Sequence, residues 1–173
     1  DLLRDVSSFV AALESMFGGF RERAQHTYEL LKTPGTAFVV VAAPEPDALR
    51  EASYFVERLS SERMPLAGLV VNRMRRVEPV DGVAPLSAAR AEAAADALAA
   101  KSESEAGALA VAALRVHAES AAAAEHDERM ARRFCSAHPE VAVVVVPALP
   151  VDIHDLDGLR EISGLLADPQ PMA

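Results

Sequence analysis

A chain of 173 residues, half of them hydrophobic, can build one packed domain or one core with a helical appendage. Its formal charge of −9 excludes a nucleic-acid surface, because the basic groups Arg73, Arg75, Arg76 and Arg129, Arg132, Arg133 are short and diluted by acids. The single Cys135 excludes an internal disulfide and a multi-Cys zinc site, and no apolar run nears the roughly 20 residues that span a bilayer, so the expectation is a soluble, cytoplasmic chain.

The chain starts at Asp1 and passes directly into a helical pattern with no visible secretory leader, which we read as a fragment of something longer. From Leu2 to Lys32 the residues Leu3, Val6, Val10, Leu13, Phe17, Phe20, Ala24, Tyr28 and Leu31 recur every three or four positions, a helical stripe. Gly18 and Gly19 mark either a kink or a break in it, and Thr33-Pro34-Gly35 ends it. Thr36 to Ala43 (TAFVVVAA) reads as a strand covered on both faces. Pro44-Glu45-Pro46 follows; proline suits the first turn of a helix, where its missing N–H would have had no partner. Ala48, Leu49, Ala52, Phe55, Val56 and Leu59 form the stripe of that helix, and Leu66 to Met74 (LAGLVVNRM) is a second strand. Strand, helix, strand at crossover spacing predicts a right-handed βαβ unit in a parallel sheet.

Residues 77–83 read as loop. From Leu86 to about Phe134 the chain is rich in Ala and Glu, free of Pro, and holds one glycine, Gly107, so helix is expected; Ser102 to Glu105 divides it in two. Glu140 to Val146 is a third strand, Pro147 to Pro150 a loop, Asp157 to Leu166 a last helix, and the tail after Asp168 should fray. The expected organisation is therefore an α/β core from 36–79 and 138–167. It carries a helical subdomain assembled from 1–34 and 84–135.

In parallel α/β sheets, ligands bind at the carboxyl ends of the strands. Asn72 is the polar residue closing an apolar strand; its carboxamide matches the donor–acceptor edge of adenine, or it caps a turn. Pro147, Ala148, Leu149 and Pro150 form a stiff apolar loop that can lie against a base, or simply a strand-to-helix turn. Asp152 and Asp155 read as caps of the last helix. The eight glycines are scattered, and no phosphate-binding loop is present, so the chain alone should not hydrolyse ATP. His26, His117, His126, His138 and His154 lack ligand spacing, and those on the Ala-rich helix are expected to be solvated. The Leu3–Leu31 stripe should pack on the Ala-rich segment as ordinary core; the alternative is an apolar groove for a partner or client helix, with Met16, Met64 and Met130 supplying an adaptable surface.

The stretch Thr36 to Met74, and the later VVVVPALPVDIHDLDGLREI, resemble the ArsA-type anion-pump ATPases and the related tail-anchored-protein targeting ATPases. The first carries a strand, a PE-containing turn, the acidic position Glu51, and a strand ending V-V-N-R. The second is similar to the P-L-x-x-E-I-R-G-x-x-x-L element of the family. The resemblance implies part of a P-loop-NTPase-type parallel sheet with an inserted helical subdomain, taken from the C-terminal portion. It also implies adenine contacts from Asn72, Pro147, Ala148, Leu149, Pro150, Asp152 and Ile153. ATP with Mg would be the cofactor, its phosphate and Mg contacts coming from an N-terminal half that this chain lacks. Partners would be a related ATPase subunit in a homo- or heterodimer and a hydrophobic helix as client, with only indirect membrane contact. The chain departs from the family at His154-Asp155, where the family has Arg-Gly, and at Ala52, where it has Thr. It has no CxxC for a shared zinc, and one cysteine cannot make a thiolate site for arsenite. Two alternatives stay open: a non-catalytic binding module or partner subunit, and a MinD/ParA-like membrane ATPase remnant. The latter wants a basic amphipathic C-terminal helix, whereas Asp157 to Leu166 holds one basic residue, Arg160.

Overall fold

The computed structural model describes residues 19–80, 82–102 and 104–168. The stripe from Leu3 to Phe17, Gly18, and the tail expected to fray after Asp168 lie outside them. A helix, α1, covers residues 19–30, and its end tightens through Lys32 N–H to Glu29 O and Thr33 N–H to Leu30 O, both 3.1 Å. Then follow β1 (Phe38–Ala42), α2 (Pro46–Ser61), β2 (Leu66–Met74), α3 (Ala88–Ala99), α4 (Glu105–Ala137), β3 (Val143–Pro147) and α5 (Leu156–Ala167). Among the described residues no helix is long and apolar enough to cross a membrane.

Local chemistry accounts for the boundaries. Pro46 opens α2 behind an extended Glu45, and the Ser104 hydroxyl caps α4 by accepting from Gly107 N–H. With α3 ending at Ala99 and α4 starting at Glu105, the Ala-rich stretch makes the expected two helices. Pro147 is the last residue of β3 rather than the first of a loop. A proline is tolerated at the end of an edge strand, and here Met74 O receives Ala148 N–H instead, at 2.9 Å. β3 also begins later than the apolar run, at Val143.

The three strands form one parallel sheet in the order β1-β2-β3. Register places Val40, Leu69 and Val143 in one row, Val41, Val70 and Val144 in the next, then Ala42, Val71 and Val145. Side chains in successive rows point to opposite faces. Ala42, Leu69, Val71 and Val145 join Leu49, Ala52 and Val56 of α2 and Ala131 and Phe134 of α4 in a single buried cluster. Both crossover helices therefore cover the same face. On the other face Val39 and Val41 are 57% and 61% exposed, although α5 packs against β3.

α3 lies along α4 through small side chains: Ala91 and Ala95 are wholly buried, and Ala118 and Ala121 nearly so. The expected packing of the Leu3–Leu31 stripe on this segment is not seen in its described part. Phe20, Ala24 and Leu31 are exposed, and α3 is the helix that α4 takes as its neighbour. Since Ala131 and Phe134 sit in the core, α4 is one continuous rod joining the helical arm to the sheet.

Candidate functional site at the carboxyl end of the sheet

The end of β2 is irregular. Register passes from Val71 opposite Val145 to Met74 opposite Pro147, so Asn72 and Arg73 bulge against Val146. Arg73 has φ +59, a left-handed conformation that costs a residue with a Cβ on the order of 1 kcal/mol and that collects at functional sites. Asn72 supports it: its Oδ1 accepts Arg73 N–H at 2.9 Å. The second Oδ1 lone pair and both carboxamide hydrogens of the half-buried Asn72 stay available.

Two elements hold this exit. On one side Met74 O accepts Ala148 N–H, and the Arg73 guanidinium pairs with Asp152 at 3.1 Å. Both members of that ion pair are mostly exposed, so it contributes little energy and serves to close the contact between β2 and the loop after β3. On the other side Asp127 of α4 is wholly buried and takes Arg75 N–H at 3.0 Å, Arg75 Nε at 2.8 Å, and a second guanidinium nitrogen on its other oxygen. These hydrogen bonds raise the pKa of Arg75 further, against the opposing effect of its partial burial, and keep it cationic.

The loop after β3 is also tied down. Asp155 caps α5 by accepting Gly158 N–H at 2.8 Å, whereas Asp152, expected as a cap, serves Arg73. Ile153 lies against Gly158, where a Cβ would come within 2.7 Å of its Cδ1, so the chain approaches itself closely at Gly158. Of the residues expected to form the site, Leu149, Ile153, Pro147 and Asn72 are half-buried, and Ala148, Pro150 and Asp152 are exposed. The structure brings the β2 exit and the loop together through Met74–Ala148 and Arg73–Asp152.

Beyond Arg75 the chain borders a cavity of about 430 Å³, within the range of small-molecule sites, between the 76–87 loop and α4. Neither Asn72 nor the 147–153 loop lines it. Glu125 closes one wall by accepting Ala88 N–H at 3.0 Å, doing for α3 what the side chain of Ser87 does not. The two histidines of α4 expected to be solvated are only partly so. His117 is half-buried with Nε2 2.9 Å from Leu86 O, His126 is half-buried, and His138 is buried against the Phe134 ring. Burial pushes the Cys135 thiol up, so it is not a ready thiolate nucleophile. Among the described residues no three His, Cys, Asp or Glu side chains gather as a metal site.

Sequence reasoning missed Asp127, Arg75 and Glu125. The one signal was an Asp, a poor helix former, deep inside a long helix. No family model matches the chain, and no curated protein gives a significant match.

Proposed function

We propose that this chain is the base-recognising part of an ArsA-type ATPase, built on a P-loop-NTPase-type sheet and working in the cytoplasm. The carrying observation is the β2 exit: a carboxamide on a strained bulge at the carboxyl end of a central parallel strand, fastened to the apolar loop that follows the next strand. The remaining Oδ1 lone pair and the two amide hydrogens of Asn72 fit the N6 amine and a ring nitrogen of adenine. The stiff loop Pro147 to Ile153 supplies the surface beside the base. Nothing comparable fits the triphosphate. The glycines form no phosphate loop, and no carboxylate cluster for Mg is present among the described residues, so those contacts belong to a phosphate-loop half elsewhere in a longer chain or a partner.

Exposed Leu109 and Val116, one heptad apart on α4, and exposed Val39 and Val41 support a partner surface: a related ATPase subunit, with a hydrophobic helix as client. The same apolar exposure favours the second reading, a non-catalytic partner subunit that keeps the fold without the base.

Adenosine separates the two, since it needs no phosphate site. In a 15N-labelled chain, adenosine near 1 mM, the weak end of specific binding, should shift the Asn72 side-chain amide and the backbone amides of Ala148, Leu149, Val151, Asp152 and Ile153. Guanosine should not, and Asn72→Ala should abolish the response. No shift with adenosine, or equal shifts with guanosine, supports the non-catalytic reading and ends the first.

A further inference from the structure

We propose that Asp127 of α4 is a positioning residue for the strand-end site: it fixes the Met74–Arg75 peptide, and through it the left-handed Arg73 and the carboxamide of Asn72. The N–H of Arg75 and the C=O of Met74 belong to one peptide plane. The N–H is held by Asp127 at 3.0 Å, and the C=O by Ala148 N–H at 2.9 Å. That single plane therefore joins α4 to the loop after β3. It cannot rotate without losing a hydrogen bond at one end, and Arg73, whose ψ governs the next plane back, is restricted with it.

Burial sharpens the point. A fully buried carboxylate is costly unless every lone pair in use meets a donor, and Asp127 draws its three donors from one residue. Packing alone does not need this arrangement, because an apolar side chain of similar size serves a core as well. What the carboxylate adds is a fixed direction for the chain leaving β2. Its place on α4 matters too. Asp127 stands between the turns that bury Ala118 and Ala121 and those that carry Ala131 and Phe134 into the sheet cluster. Asp127 thus bonds the arm directly to the residue that follows β2.

The consequence for a base rests on the reading above; the clamp itself does not. The test uses the 15N-labelled 173-residue chain. Asp127→Asn, which keeps the shape and removes the charge, should shift the amides of Arg73, Arg75 and Ala148 and the Asn72 side-chain amide. Hydrogen exchange at Arg75 N–H should quicken by about tenfold or more while Val71, inside β2, stays protected. Glu125→Gln, two residues away on the same helix, should leave those signals in place. If Asp127→Asn moves none of them, or if Val71 and Arg75 lose protection equally, Asp127 is merely structural and the proposal is overturned. Adenosine binding then distinguishes the two ideas. Peaks that move in a chain that ignores adenosine leave the clamp standing without the base. Adenosine bound equally well by wild type and Asp127→Asn leaves the base without the clamp. A tenfold weaker affinity in both Asn72→Ala and Asp127→Asn, with little further loss in the double variant, is the result expected.

Discussion

The two faces of the sheet are made from the same kinds of residue, and at β1 they have met different fates. β1 reads FVVVA and β3 VVVVP, with almost no polar alternation, the pattern of strands buried on both sides. Under α2 and α4 the pattern is honoured: Leu69, Val71 and Val145 are 3% exposed or less. Across the pleat Val39 and Val41 stand open. The difference follows from chain order. Successive strands β1, β2 and β3 are added in one direction, so crossovers of one hand place both helices on one face. A strand sequence thus records how much cover it is suited to. The connections decide how much it receives.

The covered face should break first. Phe134 is buried where α4 meets the sheet cluster and stacks on His138, so Phe134→Ala should cost about 3–5 kcal/mol, read as a lower urea midpoint at unchanged slope. A much smaller loss would mean that α4 is held mainly by α3. Next comes the seam between β2 and β3. A Cβ on Gly68 would lie 2.4 Å from Ala142 O, which accepts Leu69 N–H at 2.8 Å. Backbone cannot yield there as a flexible side chain could, and Gly68→Ala should cost about 1–3 kcal/mol by the same measurement. The open face should barely respond. Val41→Thr should change stability by less than about 0.5 kcal/mol in this chain alone. A large loss would show that the face is covered after all.

Much of this architecture was legible. Periodicity and β-branched runs placed all three strands and the helices between them, the proline after β1 marked the head of α2, and Ser102 to Glu105 marked the division before α4. Those signals are local, and local physics enforces them. The strand-end carboxamide was also visible, because a polar residue after an apolar run stands out. The pairing of Asp127 with Arg75 was not, because 52 residues separate them and each stands in a charge-rich stretch where the usual fate is solvation. Asp152 and Asp155 teach the same lesson at short range. Either could have capped α5, and only the fold decided that one serves Gly158 and the other Arg73. The left-handed Arg73 could not be foreseen either, since no glycine marks it.

The smallest effect belongs to the contact that fastens α1 to the end of the covering layer. Tyr28 donates its hydroxyl to Glu62, the C-cap residue of α2, while Arg58 reaches the other oxygen at 2.6 Å and Lys32 lies 4.2 Å above the Tyr28 ring centre. The tyrosine hydrogen bond first, then the charges of Arg58 and Lys32, hold the Glu62 carboxyl below its ordinary value of 4.5. A carboxyl whose pKa is depressed by folding stabilises the native state fully at pH above its unfolded value, where it is ionised in both states. Below 4.5 the unfolded chain takes up the proton first, and the contribution drains away until the pH has passed the folded value. Stability measured from neutral pH downward should therefore fall more gently below 4.5 in Glu62→Gln than in wild type, with the two curves parallel above it. Tyr28→Phe should remove most of the same difference, because its hydroxyl is the largest cause of the shift. If Tyr28→Phe leaves the acid limb unchanged, α1 is not fastened to α2 at this point, and the covering layer ends at the last turn of α2.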